Sequence, residues 1–360
     1  MVRITPAQLG STLNTYGRTT MVDDVLWFNW TASTVEFTFR GTNLSADFRA
    51  EYGEEVDGLP TDPNAPRRKT WPWVAVFIDD KPQPVRRFEV SSSEESWLLF
   101  SSVEFQTHRI RLTKLTENTK SFLGISFFSM EGEILPPPRS FKKRVEIVGD
   151  SITCGYGNLS LEPSRPFYSD EEDGYFAYGP RAARMLDLEY SIISVSGITA
   201  VTHPGWPGMY SMEELYRYTD RVFHEKLKKA PTLWDFKAIP NDCVVLNLGT
   251  NDNYAILFHG DPAEEAAFGV NYIRFVKEVR LLNGPDTQIV CALGPMNYYL
   301  WDVIQDAVRV YQKVTSDRKI HTLKMKPMHP MDGIGASGHP SMATHIKMSH
   351  ELSAKLQSIL

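Results

Sequence analysis

Two hydrophobic rhythms run along the chain, and they change over near Pro136-Pro-Pro138. Before that point apolar and polar residues alternate with a period of two. Thr34-Val-Glu-Phe-Thr-Phe39, Trp73-Val-Ala-Val-Phe-Ile-Asp79, His108-Arg-Ile-Arg-Leu-Thr-Lys-Leu115 and Leu123-Gly-Ile-Ser-Phe-Phe-Ser-Met130 all show it. Successive side chains of a strand point to opposite faces, so this alternation predicts half-buried strands. Many short strands with polar turns predict an all-β jelly roll or β-sandwich over residues 1–135. The clusters Trp27-Phe-Asn-Trp30 and Trp71-Pro-Trp73 read as its core, and the polar stretch from Glu51 to Thr70 as a long surface loop. Consecutive prolines continue neither a sheet nor a helix, so residues 136–142 read as a stiff linker.

From residue 143 to residue 360 the pattern is different. Short, almost uniformly apolar runs alternate with longer amphipathic ones. The expected strands are Val145–Val148, Tyr190–Val195, Val244–Leu248, Gln288–Leu293 and Lys319–Met325. The expected helices are Tyr175–Leu186, Met212–Leu227, Glu264–Leu282, Trp301–Thr315 and Met342–Ile359. Apolar strands separated by helices predict a parallel sheet between two helical layers. Such sheets bind ligands at the carboxyl ends of their strands. Ser151 follows the first expected strand, Gly197 the second and Asn251 the third, so topology alone brings them to one edge.

Composition narrows the function only slightly. The 360 residues are 42% apolar and 23% charged, as in an ordinary globular protein. A net charge of −6 argues against nucleic acid as the main partner. No run reaches the roughly 18 apolar residues of a membrane span, and the N-terminus lacks the apolar core of a signal peptide. A cytoplasmic location is the simplest expectation; a secreted protein whose leader has been removed would read the same way. The three cysteines, Cys154, Cys243 and Cys291, lie in or beside apolar runs and read as buried small hydrophobes. No Cys/His spacing resembles a zinc site, and no cofactor or metal is expected.

The candidate chemistry lies in four short segments. Gly149-Asp150-Ser151 places a hydroxyl after a strand; a serine there is a nucleophile only with a base in reach, and is otherwise a turn or helix cap. Gly197 leaves its N–H approachable, as an oxyanion donor requires, but glycine at a strand end is also an ordinary turn residue. Asn251 could donate its amide to the same oxyanion or form an Asx turn. His339 sits between Gly338 and Pro340, just before the last helix, whereas His345 and His350 read as positions on that helix. There is no Gly-x-Ser-x-Gly elbow, so the α/β-hydrolase template does not apply. The acidic run Asp170-Glu-Glu-Asp173 reads as a solvated helix start.

These segments stand as Gly-Asp-Ser151-Ile-Thr, Ser-Gly197, Gly-Thr-Asn251-Asp and Gly-His339-Pro. In that order they resemble the SGNH, or GDSL, hydrolases. The β-rich first part, with Gly-Asp-Ser-Ile-Thr-Cys-Gly-Tyr-Gly157 and His-Pro-Ser341, is similar to carbohydrate esterase family 2, whose members deacetylate plant polysaccharides such as xylan. The resemblance implies a jelly roll ahead of a flavodoxin-like α/β domain. It implies Ser151 as nucleophile and His339 as general base, with the N–H groups of Ser151 and Gly197 and the Asn251 amide as oxyanion hole. Many members carry an aspartate three residues before the histidine; here that position is Ala336. A Ser–His dyad with a backbone carbonyl near Ala336 orienting the ring is therefore preferred, with Asp332 as the alternative.

Aromatic faces match the C–H faces of sugars, so Trp206, Tyr210, Tyr298, Tyr299 and Trp301 are candidate substrate contacts. The expected function is a metal-independent serine esterase acting on acetylated oligo- or polysaccharide, with the oligomeric state open. The competing readings are a non-catalytic carbohydrate-binding protein and a lipid or thioester hydrolase on the same scaffold.

Overall fold

The computed structural model describes residues 1–56, 64–137, 141–206, 208 and 210–360. Residues 138–140 of the expected linker and 57–63 of the expected loop lie outside them. The chain forms two compact units. One comprises Met1–Ser140 with Pro166–Tyr175 and Thr219–Pro231; the other comprises Phe141–Arg165, Phe176–Tyr218 and Thr232–Leu360. The division is therefore not one cut: the later sequence sends two segments into the first unit.

That first unit is a mainly β assembly built around one long strand, Thr34–Val56. It pairs antiparallel with Glu94–Lys114 and with Ser121–Leu135. Val35, Phe37 and Phe39 enter the core, and then Leu44, Ala46, Phe48 and Ala50 do. The inward set changes from odd to even positions across a register shift between Gly41 and Asn43. A bulge's extra residue reverses which side chains face inward, so one strand serves the core on both sides of a bend. Several of the short strands expected from sequence are sections of these long, bulged ones.

The expected loop over Glu51–Thr70 is also corrected. Thr34–Val56 continues to its end as a strand and pairs with Arg67–Thr70, placing Glu54 opposite Lys69 and Glu55 opposite Arg68. Opposite charges across a strand pair are favourable, and they hide the hairpin from a search for apolar alternation.

The expected helix Met212–Leu227 is two helices, Met212–Leu215 and Arg221–Lys226. The first ends at Leu215, five residues before Asp220, and Asp220 starts the second: its side chain caps that helix by accepting from Phe223 N at 3.0 Å. The second helix belongs to the β unit. Asn29 Nδ2 donates to Asp220 at 2.8 Å, and Phe223 packs on Trp27 with ring centroids 4.6 Å apart. The acidic run is not solvated throughout either: Glu172 and Asp173 are buried. Glu172 accepts from Glu117 N at 3.0 Å, and burial, reinforced by the Glu117 charge, pushes its carboxyl well up.

The second unit is the α/β part. Its strands are β1 (Arg144–Gly149), β2 (Glu189–Ser194), β3 (Cys243–Asn247), β4 (Gln288–Leu293) and β5 (Ile320–Lys324). All pair in parallel, in the order β2-β1-β3-β4-β5. This is the flavodoxin-like order, with its switch point beside β1. Every residue of β1 and β3 is buried, as helices on both faces of a sheet require. The helices are α1 (Ser151–Cys154), α2 (Tyr178–Met185), α3 (Met212–Leu215), α4 (Thr250–His259), α5 (Pro262–Asn283), α6 (Trp301–Thr315) and α7 (Met342–Ile359). Helix α4 was not expected. Its polar start, Thr250-Asn-Asp-Asn253, and exposed apolar end, Leu257-Phe258, break the amphipathic period. No helix of the described residues is long and apolar enough to cross a membrane.

Candidate active site

Ser151 is the first residue of α1, directly beyond the end of β1. The turn between them is tight. A Cβ on Gly149 would stand 2.0 Å from Thr153 Oγ1, so only glycine fits there. Asp150 caps α1 by accepting from Ile152 N at 3.0 Å, while its own carbonyl accepts from Thr153 and Cys154. The cap holds Ser151 in the first turn of the helix. Asp150 is fully buried, and that burial pushes its carboxyl up to about 7 despite the hydrogen bond from Ile152; the charge of Asp252 adds to the rise.

His339 reaches the serine from the loop before α7. Its Nε2 lies 2.9 Å from Ser151 Oγ, and its Nδ1 lies 3.2 Å from the carbonyl oxygen of Ser337. A carbonyl only accepts, so Nδ1 of the neutral ring carries the proton and Nε2 is left to accept from the serine hydroxyl. That is the tautomer a general base needs. The Tyr156 ring packs against the imidazole at a centroid distance of 4.4 Å.

The Ser337 carbonyl is aimed by the loop itself. Ser337 has φ +52° and ψ +32°, a left-handed conformation rare outside glycine. Its N–H donates to Arg165 O at 3.0 Å and its hydroxyl to the same oxygen at 3.3 Å. Ala336 N donates to Gly157 O at 3.1 Å, and Gly335 N to His339 O at 2.8 Å. Asp332 is engaged elsewhere: both its oxygens meet Lys347 Nζ, at 2.6 and 2.7 Å. The ring is thus oriented by a backbone carbonyl one residue past Ala336, and the Asp332 alternative does not fit this arrangement.

Gly197 and Asn251 come together at the ends of β2 and β3. Gly197 has φ +79°, and a Cβ there would meet nothing within 4 Å, so the backbone at this point is open. Asn251 Nδ2 donates to the carbonyl of Ile198, the next residue, at 2.9 Å. One amide N–H is used in this way, and the group carries a second. The neighbouring Asp252 clamps the same loop, accepting from Ala200 N, Val201 N and His203 Nε2 at 2.8 to 3.3 Å. Sequence reading singled out Asn251 but not Asp252, His203, Tyr156 or Ser337. Asp252 and Tyr156 carried a signal, as members of the Gly-Thr-Asn-Asp and Gly-Asp-Ser-Ile-Thr-Cys-Gly-Tyr-Gly segments.

The Ser151 hydroxyl, the His339 imidazole that meets it and the open Gly197 backbone thus gather at the carboxyl ends of β1 and β2. Residues 147–345, more than half of the chain, match the GDSL-like Lipase/Acylhydrolase family. The chain belongs to that family. Residues 15–138 match Carbohydrate esterase 2 N-terminal. Cellulase/esterase CelE of Acetivibrio thermocellus is 30% identical over 344 residues, covering 92% of this chain and 37% of its own length. The chain therefore spans little more than a third of that relative. An acetylxylan esterase / glucomannan deacetylase of Cellvibrio japonicus is 27% identical over 332 residues, covering 87% of this chain and 80% of its own. A family two carbohydrate esterase from Clostridium thermocellum, solved in complex with cellohexaose, is 28% identical with a TM-score of 0.80; the match covers 96% of this chain and 98% of that one.

Within this GDSL-family site the aromatic candidates divide. Trp206 Nε1 donates to Gly197 O at 3.0 Å, beside the open backbone. Tyr210 is half-buried. Tyr299 is 50% exposed and its hydroxyl donates to Glu265 at 2.6 Å. Tyr298 turns its hydroxyl inward, to Met325 O at 2.7 Å. Trp301, read as a substrate contact from sequence, is only 8% exposed and begins α6, so it packs in the fold instead. Of the helical histidines, His345 is buried, accepts from Tyr178 N through Nδ1 at 3.2 Å, and is pushed down to about 3 by burial. It therefore stays neutral near pH 7. All three cysteines are buried and none is in a disulfide.

Proposed function

We propose that the protein is a serine esterase that removes O-acetyl groups from plant-type carbohydrate, such as acetylated xylan or its oligosaccharides. The observation that carries this reading is the 2.9 Å contact of Ser151 Oγ with His339 Nε2, in a ring whose Nδ1 faces a carbonyl. The relatives named above, a deacetylase and carbohydrate esterases among them, support the substrate class.

In this reading Ser151 Oγ attacks the acetyl carbonyl while its proton passes to His339 Nε2. Negative charge collects on the former carbonyl oxygen. The Ser151 N–H lies at the start of a helix, the Gly197 N–H on the open loop, and the Asn251 amide beside it; these three donors stabilise that oxygen. The tetrahedral intermediate collapses, the C–O bond to the sugar breaks, and His339 returns the proton to the sugar oxygen. Water then attacks the acetyl-enzyme with His339 again as base, releasing acetate and restoring Ser151. The Ser337 carbonyl keeps the proton on Nδ1 through both halves, but lacks the charge with which an aspartate would stabilise the imidazolium.

Acetate release from acetylated xylan by wild type and by Ser151→Ala tests the reading. Release by the wild type and at least about a thousandfold loss in the variant are expected. Near-wild-type release by Ser151→Ala would overturn the mechanism. Binding of the polysaccharide by a wild type that releases no acetate would instead point to a carbohydrate-binding protein.

A further inference from the structure

Helix α4 begins at the site with Asn251 and ends in exposed apolar side chains. Tyr254 is 48% exposed, Leu257 57% and Phe258 81%. Exposed hydrophobes that form one patch, rather than lying scattered, mark a binding surface. Asn251, Tyr254 and Phe258 stand at i, i+3 and i+7, so they follow one another along a single helix face. Seven residues of helix advance about 10 Å. The face therefore starts at the oxyanion donor and leads away from it by more than the reach of an acetyl group.

The loop from the other side of the site follows the same course. It leaves Gly197, which accepts from Trp206 Nε1 at 3.0 Å, and passes α4 so closely that a Cβ on Gly205 would stand 3.2 Å from His259 Nε2. The loop that starts at Gly197 thus reaches the end of α4, where Phe258 lies beside His259 with ring centroids 5.7 Å apart.

What would lie on this surface follows from its shape and chemistry. A long acyl tail needs a pocket that surrounds it. Side chains half to four-fifths exposed offer contact from one side only. That suits a sugar, which has one apolar C–H face and a rim of hydroxyls that must stay hydrated or hydrogen-bonded. Polar groups stand where the apolar face ends: His259 Nδ1 is 3.2 Å from Glu264, and Tyr299 reaches Glu265.

We propose that the Tyr254–Leu257–Phe258 face of α4 is an extended subsite that binds carbohydrate units beyond the one being deacetylated. This rests on the esterase reading above and assigns it a preference for long chains. The test compares wild type, Tyr254→Ala/Phe258→Ala and Phe258→Trp on an acetylated long xylo-oligosaccharide, an acetylated disaccharide and p-nitrophenyl acetate. The wild type should favour the long substrate through KM. In the double variant, kcat/KM on the long substrate relative to p-nitrophenyl acetate should fall about tenfold, the scale of one or two lost aromatic contacts. Phe258→Trp should keep the preference.

An unchanged ratio in the double variant would overturn the proposal. So would a parallel fall on all three substrates, which would mean the helix merely supports Asn251. A patch that serves a second copy of the chain would show as self-association lost in the variant with KM unaffected, and would also overturn it. Failure of the esterase reading itself looks different: the wild type would release acetate from neither sugar substrate.

Discussion

The Asp252 carboxylate accepts the backbone N–H of Ala200 through both its oxygens, at 2.8 and 3.1 Å. This ties the helix that carries Asn251 to the loop that carries Gly197. Asn251 and Gly197 belong to two different strand ends, and the proposed oxyanion hole requires those ends to stay in register. His203 completes the clamp through Nε2 at 3.0 Å.

Replacing Asp252 by asparagine should therefore act on the oxyanion hole without touching substrate. An amide NH2 does not accept: at the Oδ2 position it forfeits the 2.8 Å bond from Ala200 N, and at the Oδ1 position those from Val201 N and His203 Nε2. Because loss of a whole oxyanion donor costs about a hundredfold to a thousandfold, a loosened one should cost about tenfold to a hundredfold in kcat, with KM little changed. Steady-state kinetics on p-nitrophenyl acetate check this; a purely raised KM would count against it.

Asp332→Ala should change kcat by less than about threefold. Its partner is Lys347, whose side chain is 60% exposed, and such pairs are worth about 1 kcal/mol or less. A loss approaching about 10⁴, as when a triad loses its aspartate, would mean that the carboxylate swings to His339 during the reaction.

Ser337 separates the role of its backbone from that of its side chain. Ser337→Gly keeps the carbonyl and suits φ +52°, so activity should stay near wild type, with stability altered by about 1 kcal/mol or less. Ser337→Pro cannot adopt that φ and loses the N–H that holds Arg165 O. It should lower kcat by about a hundredfold or more while circular dichroism still reports a folded protein. Equal activity in both variants would remove the carbonyl from the mechanism.

Asp150 makes stability depend on pH. Its carboxyl has an ordinary value of 3.8 and is raised to about 7 in the fold. Between those values the folded state binds more protons than the unfolded state. This residue's contribution therefore makes stability fall as pH rises from about 4 to about 7, and levels off above. Asp150→Asn retains an oxygen to accept from Ile152 N but does not titrate. Its denaturation midpoint should fall less than that of wild type over this range; an identical slope in the two proteins would refute the assignment.

Much of the fold was legible because its signals are local. The β-branched, mostly apolar runs within β1 and β3 announce a sheet covered on both faces, and the polar residues following β1, β2 and β3 announce its working edge. Asn251 could be placed at that edge without the helix it begins being recognised, since α4 is apolar where it meets solvent. The break before Asp220 was hidden for a related reason. The residues on either side keep a helical pattern, and the partner that makes Asp220 an anchor, Asn29, is 191 positions away.

The sequence by itself determined the change from a β part to an α/β part, the parallel sheet, and the candidate set Ser151, Gly197, Asn251 and His339, because strand patterning and short motifs depend on neighbours along the chain. Only the tertiary structure decided what orients His339, which of the aromatics reach the surface, and where the later segments join the β unit. Those outcomes depend on groups brought together from afar. Lys347 takes up Asp332, and the Arg165 carbonyl holds Ser337 in its left-handed turn, so the ring is set by a backbone oxygen that carries no mark in the sequence.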